Sequence, residues 1–205
     1  MMVPAMPDDY DIGYGKPPEA SLTALRTLRT TESNTTQPSA LAGMTTQHRF
    51  TPALLGGQGL VYGEAVSIRR SSHLGTDGDG DGVADGRDLT RASVGVDWTR
   101  RWITGQGLVL DAGVQGGVDL YSISEDDTYG GAPARSLGRA GLRLSYPMVR
   151  KTDGGTLYLE PGIQLVHAAT ATRGAIPDED SRLVEFDQGN LYALDRFPGA
   201  DRVET

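Results

Sequence analysis

Long runs in which apolar and polar residues alternate one by one constrain this chain more than any other feature. From Arg91 to Ile103, Ala92, Val94, Val96, Trp98 and Trp102 share one face, while Arg91, Ser93, Gly95, Asp97, Thr99 and Arg101 share the other. From Leu108 to Tyr121 the scheme repeats, with Leu110, Ala112, Val114, Gly116, Val118 and Leu120 against Asp111, Gly113, Gln115, Gly117 and Asp119. Side chains alternate sides only along an extended backbone, so these runs are strands with one apolar face. Further strands are predicted over Ser136–Met148 and, after the Asp153-Gly154-Gly155 turn, over Thr156–Leu165. Weaker ones cover Leu22–Thr30, Leu41–Phe50 and Leu60–Arg70.

The connections alternate in length. Those at Phe50–Gly59, Trp102–Gly107 and Val149–Gly155 are short, and the Gly-rich ones suit tight hairpins. Those at about 71–89, 122–135 and 170–190 are long, polar and acidic. Short turns at one end and long loops at the other are the layout of an outer-membrane barrel. The polar faces carry Asp97, Arg101, Asp111, Asp119, Arg139, Arg143, Glu160 and Gln164. A dry core holds so many charges only if they pair closely, whereas a water-filled lumen holds them readily. A soluble antiparallel sheet with one solvated face also alternates, so periodicity by itself leaves both architectures open. No run of about 18 apolar residues is present, which excludes a membrane-spanning helix but not a membrane-spanning strand.

Composition narrows the chemistry. A net charge of −8 argues against nucleic acid, which needs clustered Lys and Arg. Without Cys there is no thiol nucleophile and no thiolate metal site. His48, His73 and His167 lie on separate segments, and no Gly-x-Ser-x-Gly occurs, so no catalytic constellation is expected. One segment has the spacing of a calcium loop. Counting from Asp77, carboxylates fall at positions 1, 3, 5, 9 and 12 (Asp77, Asp79, Asp81, Asp85, Asp88), Gly82 is at 6, and Val83 at 7 offers a carbonyl. Position 12 is Asp rather than Glu and flanking helices are not evident, so an acidic solvated loop is the competing reading. On the polar faces, Arg101, Arg139, Arg143 and Gln164, facing a lumen, are candidates for contact with phosphate or sugar oxygens. The competing reading pairs these charges with Asp97, Asp111 and Glu160 on neighbouring strands.

The C-terminal stretch carries a family resemblance. Asp180–Asp187 followed by Asn190-Leu191-Tyr192 and Arg196-Phe197-Pro198-Gly199-Ala200-Asp201-Arg202-Val203-Glu204 resembles the signature of the LPS-assembly proteins, the LptD or organic solvent tolerance family. Tyr146-Pro147-Met148-Val149 and Leu159-Glu160-Pro161-Gly162-Ile163-Gln164-Leu165 resemble two further strand motifs of that family, in the same order. The resemblance implies an all-β fold: part of an antiparallel transmembrane β-barrel, about seven to eight strands of a larger one, spanning residues 1–205. It implies no enzyme but part of the bacterial outer-membrane translocon that inserts lipopolysaccharide into the outer leaflet. The implied partners are lipopolysaccharide, a plug lipoprotein of the LptE type and a periplasmic bridge protein. The N-terminus has no basic region before an apolar one, and no jelly-roll or gate strands are evident. The expectation is therefore a piece from the middle of the barrel. The rival from another class is a secreted, calcium-stabilised β-sheet protein used for binding or adhesion.

Overall fold

The computed structural model describes residues 16–28, 33–80, 82–179 and 191–195. Nine strands follow in chain order: β1 (Lys16–Ala24), β2 (Pro38–Phe50), β3 (Gln58–Arg70), β4 (Asp88–Ile103), β5 (Val109–Ser124), β6 (Ala134–Ser145), β7 (Met148–Thr152), β8 (Gly155–Leu159) and β9 (Gly162–Arg173). Seven form one antiparallel sheet in the order β1-β2-β3-β4-β5-β6-β9, and β7 pairs with β8. The described residues contain no helix. The all-β antiparallel architecture is thus as expected, in the form of an open barrel wall with β1 and β9 at its edges.

The strand ends differ from expectation for identifiable reasons. Leu22–Thr30 is not the first strand; β1 starts at Lys16, ahead of Pro17-Pro18, with a register shift between Lys16 and Glu19. Paired prolines read as a strand breaker, but an edge strand tolerates them because one of its sides has no ladder to complete. The expected strands 136–148 and 156–165 are each interrupted. Ser145 faces Gly162 and Met148 faces Leu159, so both strands advance by three residues between ladders and the register is unbroken. Pro147 and Pro161 fall inside this gap and lack the N–H that a ladder needs, while Tyr146 N–H still donates to Pro161 O at 3.0 Å. β7–β8 is therefore the tip of the β6–β9 hairpin. β4, β5 and β9 run further than expected, which shortens the long connections to 71–87, 125–133 and a segment starting at 174.

Residues directly opposite in an antiparallel pair share a face. The register accordingly sorts β4, β5, β6 and β9 into a polar face, with rows such as Arg101–Asp111–Arg143–Gln164, and an apolar face, with rows such as Trp102–Leu110–Leu144–Ile163. Burial runs opposite to that of a soluble sheet. On the apolar face Val94 is 63% exposed and Leu165 69%, and Val118, Leu120 and Leu142 are exposed too. On the polar face Arg91, Asp119, Arg135 and Arg139 are buried. Arg100, a charge within the apolar row of β4, directs its guanidinium to Leu55 O in the adjacent short turn and stacks on Trp102 at 4.8 Å. A long cationic side chain reaches a polar edge in this way without abandoning the apolar surface along its stem. β4 and β5 each have 16 residues, about 50 Å of strand at roughly 3.3 Å per residue, more than the ~30 Å hydrocarbon core of a bilayer.

The packed apolar core is small and sits at the long-loop end of the polar face. Leu89, Tyr121 and Ile123 are buried there, with Tyr129 and Ile176 from the loops packed against them. The row Leu89–Ile123 explains why β4 and β5 extend past the expected strand ends: the loops fold back and cover it. Leu89→Ala is expected to cost about 2–5 kcal/mol, because it leaves a cavity the loops cannot fill, whereas Val94→Ala on the outward face opens no internal cavity and costs less. Denaturant midpoints of the two variants decide it; equal effects would mean that this core does not hold the loops.

Candidate functional site: the polar face and the segment laid across it

β6 presents Arg135, Arg139 and Arg143 four residues apart, hence on one face. Each finds a carboxylate from a different part of the chain. Arg135 holds Asp119 of β5 through Nε at 3.0 Å and Nη2 at 2.7 Å, both side chains nearly fully buried. Arg143 Nη2 donates to Glu160 at 2.9 Å, and Arg139 Nη2 pairs with Asp195. On β4, Arg101 makes a two-point contact with Asp111, at 2.6 and 3.1 Å, and Arg91 donates to Glu64 at 2.8 Å. The four polar-face candidates are on one face: Arg101, Arg143 and Gln164 lie in one row, and Arg139 lies four residues along β6, past Gly141. Asp111 and Glu160 are the partners anticipated from neighbouring strands. Asp195 is a partner that strand reasoning missed, since it comes from the segment after the last strand.

Leu191–Asp195 lies across this face. Tyr192 O accepts from Gln164 Nε2 at 3.2 Å, and the Arg143 guanidinium sits 3.8 Å from the centre of the Tyr192 ring. Leu194 packs where Gly113 of β5 faces Gly141 of β6. A Cβ on Gly141 would overlap the Leu194 side chain, so the absence of a side chain at that position is what makes the seat. Beside the segment is a cavity of about 610 Å³ lined by Arg101, Asp111, Arg143, Gln164, Tyr192 and Leu194, among others.

At the other end of the strands the long loops are bound together by charge. Glu179 accepts from Arg70 Nη2 and from Arg87 Nη1, each at 3.0 Å. Arg87 also pairs with Asp126 and lies 5.0 Å over the Tyr129 ring. The Asp126 side chain is fully buried, and its second oxygen accepts the N–H groups of Thr128 (2.7 Å) and Tyr129 (2.8 Å). Backbone bonds from Asp127 N to Gly75 O and from Ser72 N to Thr35 O join further loops to the same cluster. Burial alone would push the Asp126 carboxyl up, but the Tyr129 N–H, the Arg87 guanidinium and the Thr128 N–H outweigh it and hold the group below the usual carboxylate range. For Arg87, burial favours proton loss, and the bonds to Asp126 and Glu179 reverse that and raise its affinity for the proton.

The calcium-loop residues divide. Asp77, Asp79 and Asp85 each place one carboxylate oxygen within 4.8 Å of the others. Asp77 also accepts from Gly80 N and Gly82 N, and Asp85 from Gly78 N. Asp88 is turned elsewhere, to the Arg69 guanidinium and the Arg70 amide, both at 2.9 Å. Asp81 lies outside the described residues. Val83 is described and adjoins the buried Ala84–Asp85 stretch.

A family model described as LPS transport system D matches residues 19–205. The chain belongs to the LptD family. No curated protein and no solved structure matches it at comparable stringency. Much of the stretch that carries the LptD resemblance, residues 180–190 and 196–205, lies outside the described residues. The described remainder of it, Leu191–Asp195, reaches Arg139 and Arg143 of β6. Within this LptD-family chain, sequence reasoning also missed the roles of Arg70, Arg87, Asp126 and Glu179. The one available signal was an arginine at each loop–strand junction of an otherwise acidic connection.

Because the folded Asp126 carboxyl lies below its unfolded value, its stabilising contribution is complete above about pH 3.9 and is lost as pH falls through the lower folded value. The long loops are therefore expected to resist proteinase K at pH 5 and become cleavable only well below pH 4. Asp126→Asn is expected to remove that acid transition and to loosen the loops at neutral pH. Loops equally cleavable at pH 5 and pH 3 would mean that this pairing does not hold them.

Proposed function

We propose that this chain forms part of the wall of the outer-membrane translocon that inserts lipopolysaccharide into the outer leaflet. Its apolar face meets lipid, and its polar face lines the route of the anionic headgroup. The observation that carries this reading is the inverted polarity of an LptD-family sheet: apolar side chains outward, paired arginines inward. An exposed apolar face this broad needs hydrocarbon or another apolar surface against it, which a secreted monomeric binding protein would not supply. Strands long enough to cross a bilayer support the same reading. In this role Arg101, Arg139, Arg143 and Gln164 offer donors to phosphate and sugar oxygens, and a plug lipoprotein of the LptE type and a periplasmic bridge protein are the partners. The role is one of passage and insertion, with no covalent step.

Charge reversal tests it. Arg139→Glu combined with Arg143→Glu, in cells dependent on this protein, is expected to slow the appearance of new lipopolysaccharide at the surface by about tenfold or more, while Arg100→Glu on the outward face has a different effect, poor assembly into the membrane. Normal surface delivery with both inward arginines reversed would sink the proposed headgroup route. The Asp77–Asp88 loop carries a separate proposal, that calcium binds through Asp77, Asp79 and Asp85, supported by their convergence and the calcium-loop spacing. Millimolar calcium is expected to slow proteolysis of this loop, and the Asp79→Ala variant to lose that protection. Unchanged cleavage in calcium would make it an acidic solvated loop.

A further inference from the structure

The segment over the polar face has the chemistry of the ligand that the face is proposed to carry. Asp195 places an anion on Arg139, Leu194 places an apolar group in the notch between Gly113 and Gly141, and Tyr192 covers the Arg143 guanidinium. We propose that Leu191–Asp195 is a displaceable latch that keeps an anion-binding track closed by occupying it, and that a phosphorylated lipid headgroup opens the track by taking over its contacts with the arginines. This inference rests on the proposed function and specifies how the same face is regulated.

Two independent observations support displacement over a permanent strut. First, the arginines are only half used. Among the described residues, the Nε atoms of Arg139 and Arg143 are buried without a hydrogen-bond partner, although each guanidinium donates through Nη2. A phosphate binds an arginine through two parallel donors, Nε and Nη2 among them, so an incoming phosphate can make a contact that Asp195 leaves unmade. At Arg135, by contrast, Nε and Nη2 both bind Asp119 of the neighbouring strand. Second, Leu191–Asp195 adds no strand to the sheet. Among the described residues, its contacts with the face include a side-chain ion pair, a ring contact, a hydrogen bond to a carbonyl and a leucine in a shallow notch, and each of these comes apart without breaking a ladder. The adjoining cavity already brings space to Arg101, Arg143 and Gln164 at the edge of the latch. An entering ligand can therefore engage the outer donors before the latch leaves, and only its differential affinity for the open state is needed to shift the balance.

The 205 residues contain no cysteine, so thiols introduced at the latch and its seat have no native thiol beside them in this part of the wall. Gly141→Cys with Leu194→Cys, in the full-length protein assembled in the outer membrane, is bridged with a short methanethiosulfonate reagent that dithiothreitol removes. The expected result is an efficient bridge, a drop of about tenfold or more in the rate of lipopolysaccharide delivery to the surface relative to the same unbridged double variant, and recovery on reduction. Failure to bridge in the assembled protein overturns the seat of the latch, and bridging at full delivery rate overturns its displacement. Depletion of the protein provides the separate arm: if depletion leaves delivery unchanged, the proposed function falls. The latch is then judged by conductance in planar bilayers, where Gly141→Val, which fills the notch, and Asp195→Asn, which leaves the notch intact, are both expected to raise the open fraction. Conductance unchanged in both variants overturns the latch.

Discussion

The pairing of buried arginines with carboxylates on one face of the sheet is the constraint on which the rest of the structure depends. A guanidinium removed from water is tolerated only when its charge is met, and breaking such a pair is far more costly than never having made it. β6 concentrates the demand, with three arginines on one face. Arg135 is met by the neighbouring strand, Arg143 by Glu160 at the tip of its own hairpin, and Arg139 by Asp195 from beyond the last strand. One strand thereby fixes its register against β5, the extension of the β6–β9 hairpin and the path of a distant segment. A slip of one residue would turn all three charges onto the apolar face, so register here is set by electrostatics as much as by the hydrophobic pattern.

The strands and their faces were legible from period-2 alternation, because alternation survives even where the ladder does not. The hairpin from β6 to β9 shows this. Pro147 and Pro161 remove donors and interrupt the hydrogen bonding, yet the side chains keep their faces across the gap. What alternation could not give was the reach of the strands. Leu89 and Ile123 follow the period but face the polar side, where an apolar pair makes sense only once loops are known to cover it. Nor could it place the start of β1, where Pro17-Pro18 stand in an edge strand that tolerates residues a central strand would not.

The loops were the least legible part, for a reason that lies in composition itself. A count of acidic residues suggests solvated, self-repelling chain, but composition does not record partners. Arg70 and Arg87 stand at the ends of a connection dominated by Asp and Gly, and through Glu179 and Asp126 they tie three connections into one buried cluster. The same competition reshapes the calcium-loop pattern. Asp88 has the right spacing for position 12, but it adjoins the strand where Arg69 and the Arg70 amide are within reach, and it binds there. Spacing describes which ligands could converge; the positive charges nearby determine which of them do.

The two halves of the polar face therefore differ in kind. Toward the long loops, arginines bind their carboxylates within the sheet or within the loop cluster and are shut away from solvent. Toward the short turns, Arg101 is mostly exposed, Arg143 is partly so, and the cover is a segment held by side-chain contacts over a glycine notch. A surface meant only to be rigid would have no use for the second half, because filling Gly113 and Gly141 with side chains would pack the face more tightly than a leucine brought from elsewhere. Glycines opposite each other on adjacent strands weaken a sheet by losing cross-strand packing. Their presence under Leu194 makes sense if that volume is needed by more than one occupant, and the unfilled arginine donors on either side of it indicate that the second occupant is an anion.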